Sequence, residues 1–352
     1  MSRTDPPPKV SVLLPTYNYA RFLPEAIESV LAQDFTDFEL LISDDASRDD
    51  SAAVIRRFAA RDPRIRVRIY SENIGMVANW NACLRQARGD YIKFIFGDDC
   101  FMRPDALGRM VAQLDATPEA VLVASARTIL DAHSRVVTIW NDWRAPGFHR
   151  GAEVIRRCLR EDRNLIGEPS AVLFRRAAAQ RGFDPQFRQV VDLDMWLHLL
   201  RGGDFVYLAE PLCAFRQHEE QQTAVNRRAN VGPLECLALL ARYLDELRLT
   251  PGGERTFAAS HLLFERLYYS RKHAPRTPTL VAAEASVRER LGRFGYGVHW
   301  SWHRFTKPWL NLRRFVRRRL ASPTRAPWPA AVSPWAPTMR PAALRASGRR
   351  SA

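Results

Sequence analysis

The sequence predicts an α/β protein built on a mostly parallel sheet, and three observations carry that expectation. Strand-like and helix-like segments alternate through the first 125 residues. Two pairs of adjacent aspartates, Asp44-Asp45 and Asp98-Asp99, each follow directly on a short apolar run. Of the 352 residues, 46% are hydrophobic, ample material for a core. Alternation of this βαβα kind predicts right-handed crossovers, with helices covering both faces of the sheet.

The elements follow in order. Residues 10–14 read as the first strand, and 23–32 as a helix with apolar residues at 23, 27, 30 and 31. A second strand at 38–43 leads to a helix at 50–60, opened by Ser47, Asp49 and Asp50 with good N-cap chemistry. A strand at 65–70, a helix at 75–86 and a strand at 91–96 come next. A helix at 104–114 has proline in its first turn, and a strand at 120–125 closes the series. Beyond 130 the pattern is mixed: strands at 135–139, 170–174, 205–208 and 213–217, with helices near 151–160 and 192–201. Helical periodicity then runs from 233 to 293, as in Leu234, Leu237, Leu240, Leu244 and Leu247. After 320 the chain turns to Pro, Ala, Ser, Arg and Trp, a composition expected to be disordered.

Composition narrows the class. No apolar stretch reaches the ~18 residues that cross a bilayer, and the polar, proline-rich start does not read as a signal peptide. Five scattered cysteines with no CxxC spacing point to reduced thiols in a cytoplasmic setting and give no zinc signal. The net charge is +15, and 12 of those charges lie from residue 300 onward, where no Asp or Glu occurs. The basicity belongs to a tail and not to the body.

Four carboxylates at strand ends repel one another, so their arrangement makes sense if something cationic or hydrogen-bond-donating binds there. Ligands of parallel α/β sheets sit beyond the carboxyl ends of the strands. Strand one ends in Pro15-Thr16-Tyr17-Asn18, a flat surface with backbone N–H groups, or equally an ordinary βα turn. Neighbouring strand residues point opposite ways, so one of Asp44 and Asp45 at most faces a given ligand atom; Asp45 or Ser47 could instead cap the next helix. Asn73-Ile74-Gly75 follows strand three, where glycine lets backbone approach a ligand closely. A diphosphate needs charge compensation, and a hard cation held by carboxylates supplies it.

These motifs together resemble the family 2 inverting glycosyltransferases of the GT-A fold, a Rossmann-like sheet flanked by helices. The resemblance rests on residues 10–18, the Asp44-Asp45 strand end, the Asn-x-Gly of 73–75 and Asp98-Asp99. It continues in Glu168-Pro169-Ser170, Asp192-Leu193-Asp194-Met195-Trp196, Pro211-Leu212 and Phe215-Arg216-Gln217-His218. The implied organisation is a disordered N-terminus at 1–8, a GT-A domain at 9–222, a helical extension at 223–298, and a basic Trp/Pro/Arg-rich tail at 299–352.

The resemblance implies roles. Pro15, Thr16 and Tyr17 would line the nucleobase and Asp44 would accept a hydrogen bond from it. Asp98 would contact the ribose, with Asn18, Asp45, Asn73, Gly75, Asn81 and Lys93 completing the donor site. Asp99 would ligate Mn²⁺ or Mg²⁺ and His218 would add a late metal or phosphate contact. Asp192 would be the catalytic base, although Asp192 and Asp194 could both serve the first turn of a helix whose apolar face is Leu193, Trp196, Leu197 and Leu200. The two aspartates lie about 200° apart on a helix, so one alone can face a pocket. The chain departs from the family pattern twice: Phe96 stands where the fullest metal motif has an Asp, and Trp80 where Arg is frequent.

The expected reaction is a single displacement with inversion, moving a sugar from a nucleoside-diphosphate sugar, a UDP-sugar first among them, to a glycan or lipid-linked acceptor. The Trp- and Arg-rich segment 299–320 is expected to favour an anionic membrane surface on the cytoplasmic side. The competing readings are a catalytically inactive homologue that binds nucleotide sugar or glycan, and a nucleic-acid-binding protein acting through the tail. No nucleic-acid partner is expected, because nothing in the body resembles a nucleic-acid-binding fold.

Overall fold

The structure, a computed structural model, describes residues 6–229, 231–243, 257–273 and most of 281–305. Its first half alternates as the sequence predicts: β1 (Val10–Thr16), α1 (Leu23–Leu31), β2 (Phe38–Asp44), α2 (Ser51–Ala59) and β3 (Ile65–Ile69). Then come α3 (Met76–Gln86), β4 (Tyr91–Phe94), the two-residue β5 (Cys100–Phe101), α4 (Ala106–Ala116) and β6 (Ala120–Leu130). The mixed half holds β7 (Val136–Trp140), β8 (Gly147–His149), α5 (Gly151–Glu161), β9 (Val172–Arg175), α6 (Val191–Leu200) and β10 (Asp204–Arg216). The helices α7 (Gln222–Arg228), α8 (Gly232–Arg242) and α9 (Phe257–His273) follow, and residues 295–305 are helical.

All strands belong to one sheet, ordered β3-β2-β1-β4-β9-β6-β10-β5, with β7 added on β6 and β8 on β10. The first four strands are parallel, β9 is inserted antiparallel between β4 and β6, and β10 runs parallel to β6. Every residue of β1 and β2 is buried, as continuous apolar runs covered on both faces require. Helices α1, α2 and α4 cover one face; α3, α5, α6, α8 and α9 cover the other. Leu263 and Leu267 of α9 are fully buried, so the helical extension shares the core of the sheet.

The chain builds outward from β1 to β3, then crosses faces through α3 and places β4 on the other side of β1. That reversal between β1 and β4 is a topological switch point, where a crevice opens at the strand ends.

Three elements differ from their sequence-based bounds. The separate strands expected at 205–208 and 213–217 are one 13-residue strand, β10, whose register shifts on either side of Pro211. Proline has no N–H to give to the ladder, and the strand accommodates it by shifting register. β6 runs to Leu130 because Arg127 is buried by ion pairs to Asp142 and Glu168, which masks the strand's apolar character. The strand expected from 170 begins at Val172, after a 3₁₀ turn at Pro169–Ala171. The tail expected from 299 begins instead as helix, packed on α9 through Phe264, Tyr268, Tyr296 and His303. The disorder expected at 1–8 and after 320 falls, apart from residues 6–8, outside the described residues. Among the described residues no helix is long and apolar enough to cross a membrane.

Candidate active site

The first wall of the crevice is made by the ends of β1 and β2. Thr16 and Asp44 are register partners there, and Asp44 is fully buried. Its carboxylate accepts hydrogen bonds from the Ser47 hydroxyl and from the Ser47 N–H at 3.3 Å. Burial holds its acidity below that of an ordinary aspartate, raising the pKa. The β1–α1 and β2–α2 loops are laced together by Asn18, which takes a positive φ of 58°. Its N–H donates to Ser47 Oγ at 2.8 Å and its Oδ1 accepts from the Arg48 N–H at 2.8 Å. Tyr17 is 39% exposed at the rim, free to offer its ring.

Asp45 points the other way, as strand alternation requires. Its carboxylate accepts from the N–H groups of Ile74 (2.7 Å) and Gly75 (3.0 Å), and Asn73 Nδ2 donates to its carbonyl at 3.0 Å. Gly75, at φ 91°, is the turn that lets both amides reach one carboxylate before α3 begins. Asp45 and Asn73 therefore shape the loop between β3 and α3, in place of the donor contacts expected of them.

The second wall is the segment after β4. Asp99 is 1% exposed and both of its oxygens are engaged. Ser170 Oγ donates to Oδ2 at 2.5 Å, and the Arg216 N–H donates to Oδ1 at 2.9 Å. Burial, and then the adjacent Asp98 carboxylate, push Asp99 well above the usual carboxylate range. Asp98 instead faces His218, whose Nε2 lies 3.1 Å from its Oδ2. The His218 ring is held between Tyr19 and Phe22, with centroids 5.5 and 5.0 Å away. A fully buried guanidinium, Arg216, organises the pair: Nε donates to the Asp98 carbonyl at 2.7 Å and Nη2 pairs with Glu25 at 2.8 Å. Gly97 is needed for closeness, because a Cβ there would stand 2.5 Å from Thr16 Oγ1.

A cavity of about 740 Å³ opens beyond His218, lined among others by Trp140, Glu168, Asp192 and Phe215. Asp192 comes from the first turn of α6. Its Oδ1 accepts from the Leu193 N–H at 2.7 Å and its Oδ2 from Asn164 Nδ2 at 2.9 Å. Burial, and then the Glu168 carboxylate, push Asp192 up to about 7. Asp194 faces away and is locked by Arg181 (2.6 Å) and Arg242 (2.7 Å), so the helix presents one aspartate to the cavity and buries the other.

The structure brings Thr16, Tyr17, Asp44, Asp98 and His218 to the strand-end crevice, with Asp192 in the adjoining cavity. Pro15 is buried within β1, opposite Ser43. Two expected donor residues lie elsewhere. Lys93 is fully buried, its ammonium donating to the Ser170 carbonyl and lying 3.5 Å from Cys213 Sγ. Asn81 closes a loop, donating to the Phe183 carbonyl and accepting its N–H, both at 2.8 Å. Asp99, expected to ligate the metal, has its oxygens occupied by Ser170 and Arg216, and Asp98 offers the carboxylate beside His218. Tyr19, Asn164 and Glu25 were not read from the sequence. Asn164 and Glu25 sit in segments without any motif, whereas Tyr19 immediately follows one. The two departures from the family pattern touch each other: Trp80 stacks on Phe96, centroids 4.7 Å apart at 27°.

Comparisons with known proteins bear on the family and the fold. Residues 11–183 match the profile described as Glycosyl transferase family 2. The putative glycosyltransferase EpsE of Bacillus subtilis is 30% identical over 265 residues, 73% of this chain and 88% of that protein. Chondroitin synthase of Escherichia coli is 27% identical over 225 residues, 62% of this chain but 30% of the longer relative. Among solved structures, residues 1–349 of S. aureus TarS with UDP-GlcNAc superpose with TM-score 0.61 at 17% identity, covering 82% of each chain. The mannosyltransferase PcManGT from Pyrobaculum calidifontis gives 0.51 at 18% identity, covering 84% and 87%. On these matches the chain belongs to family 2 of the glycosyltransferases, enzymes of the GT-A fold that transfer glycosyl groups.

Proposed function

We propose that this enzyme is a metal-dependent inverting transferase that moves a sugar from a nucleoside-diphosphate sugar, a UDP-sugar first, to a hydroxyl of a glycan or lipid-linked acceptor. One observation carries the reading: an aspartate with a pKa of about 7 lies in the same cavity as the histidine that touches Asp98. A base poised near the working pH is what deprotonation of an acceptor hydroxyl asks for. One carboxylate acting as base, with no covalent intermediate required, supports direct displacement and hence inversion, by analogy with glycoside hydrolysis.

Tyr17 and Asp44 would take the base, as expected. Asp98 Oδ2 and His218 Nε2, an oxygen and an imidazole nitrogen 3.1 Å apart, suit a divalent ion such as Mn²⁺ whose remaining ligands are phosphate oxygens and water. Such an ion would compensate the charge of the departing diphosphate. Asp99 acts behind Asp98, holding Ser170 and the Arg216 backbone. Glu168 keeps Asp192 basic, and Asn164 aims its carboxylate. The neighbour in complex with GDP-Man and Mn²⁺ and the one in complex with UDP-GlcNAc support the donor class and the ion.

Calorimetric titration of UDP, GDP and dTDP, with and without Mn²⁺, tests the donor site. We expect one nucleotide to bind in a Mn²⁺-dependent way, with at least a roughly 10-fold loss in Asp98→Asn. Asp99→Asn should weaken Mn²⁺-dependent binding less than Asp98→Asn does. No nucleotide binding by the folded chain would sink the donor site and favour the inactive-homologue reading.

The extension supports a membrane-borne acceptor. Val298, Trp302 and Phe305 recur at i, i+4 and i+7 on the helix at 295–305 and are 39%, 53% and 77% exposed. An apolar stripe next to a strongly basic segment suits an anionic lipid surface on the cytoplasmic side.

A further inference from the structure

The helical extension carries a cluster that glycosyl transfer does not use. His261 and Glu265 lie four apart on α9, and His299 and His303 four apart on the helix at 295–305. Residues at this spacing share one helix face. The two faces meet: His261 and His299 ring centroids are 5.5 Å apart, and those of His261 and His303 6.2 Å. Glu265 Oε1 stands 3.4 Å from His303 Nδ1 and 3.9 Å from His261 Nε2. The ligand atoms of His261, Glu265 and His303 all lie within 4.8 Å of one another, the one such group of three or more among the described residues. His303 has both ring nitrogens buried with no hydrogen-bond partner. Buried ring nitrogens that make no hydrogen bond are costly, and a metal ion would satisfy them.

We propose that His261, Glu265 and His303, with His299 beside them, form a second metal site for a zinc-class divalent ion, fastening the helix at 295–305 to α9. Imidazole nitrogens with one carboxylate are a ligand set that Zn²⁺ takes tetrahedrally, at roughly 2.0–2.2 Å, whereas Mg²⁺ prefers oxygen alone. Those bond lengths place ligand atoms about 3.4 Å apart. Side-chain rotation of about 1 Å closes the present spacing to that value. His299, 4% exposed and on the same face as His303, stands beside the three. The site is separate in residues from the Asp98–His218 pair and takes a softer ion.

The test uses the full chain, stripped of metal and free of nucleotide, titrated with Zn²⁺ alone. We expect about one zinc per chain, with binding preserved in Asp98→Asn. In His303→Ala and in the isosteric Glu265→Gln the affinity should fall at least roughly 10-fold, and zinc should raise the melting temperature of wild type but not of Glu265→Gln. Circular dichroism equal to wild type certifies the fold of each variant, and Glu265→Gln suffices should His303→Ala misfold. No stoichiometric zinc in wild type, loss of zinc in Asp98→Asn, or unchanged affinity in Glu265→Gln would overturn the proposal.

Discussion

At the scale of single residues, the proposed base Asp192 would serve chemistry at the expense of stability. Its proton must be absent for it to act as base, so kcat/KM should rise with pH and level off above an apparent pKa of about 7. Asp192→Asn should lower kcat by about 10²–10⁴ and abolish that limb, read from a pH–rate series. The stability effect has the opposite sense. The folded pKa lies above the unfolded value, so the stability present below about pH 4 is lost as pH rises through 7. The asparagine variant should therefore melt higher than wild type at pH 8, by an amount worth up to roughly 4 kcal/mol. The difference should vanish at pH 4 or below. Equal melting temperatures at pH 8 would mean that the carboxylate is not held in a desolvating site.

At the scale of elements, the active site is clamped by the end of β10. Arg216 reaches back to Glu25 on α1, to the Asp98 carbonyl and to Ser134, and its own backbone N–H holds Asp99. An ion pair buried this completely is costly to break from one side, about 3–5 kcal/mol. Arg216→Leu should lose stability on that order in urea unfolding. Arg216→Lys keeps the charge but loses the planar fork. It should stay folded and bind Mn²⁺ and UDP less tightly than wild type, because Asp98 is no longer fixed. Wild-type affinity in Arg216→Lys would show that β10 does not set the acidic pair. At the same scale the two departures from the expected pattern form one apolar contact, Trp80 stacked on Phe96.

At the scale of the molecule, the sheet and its two helical layers deliver the crevice, and the extension delivers what lies beside it. Acidic and basic residues of the body nearly balance, so the charge past residue 300 dominates any long-range field. Vesicles containing anionic lipid should bind the full chain at low salt and release it as salt rises, since each basic residue near the surface contributes about 1 kcal/mol. A chain ending at residue 305 should bind at least roughly 10-fold more weakly while still binding nucleotide. Indifference of the full chain to anionic lipid would remove the membrane from the proposal.

Apolar periodicity is a local property, so the sequence by itself determined the order of strands and helices, and with it the parallel sheet, the switch point and the acidic strand ends. The places of Asp44 and Asp192 at element termini were legible for the same reason, whereas their roles were implied by the resemblance alone. Tertiary structure alone decided which member of each acidic pair faces the ligand. Asp99 is taken by Ser170 and Arg216, 71 and 117 residues away in the chain, and Asp98 meets His218 across 120. Lys93 looked like a donor contact beside acidic strand ends, yet β4 turns it inward to a carbonyl contributed by the segment before β9. A buried polar group takes whatever partner the fold brings within about 3 Å, and that choice is made by packing between distant segments, which no local pattern records.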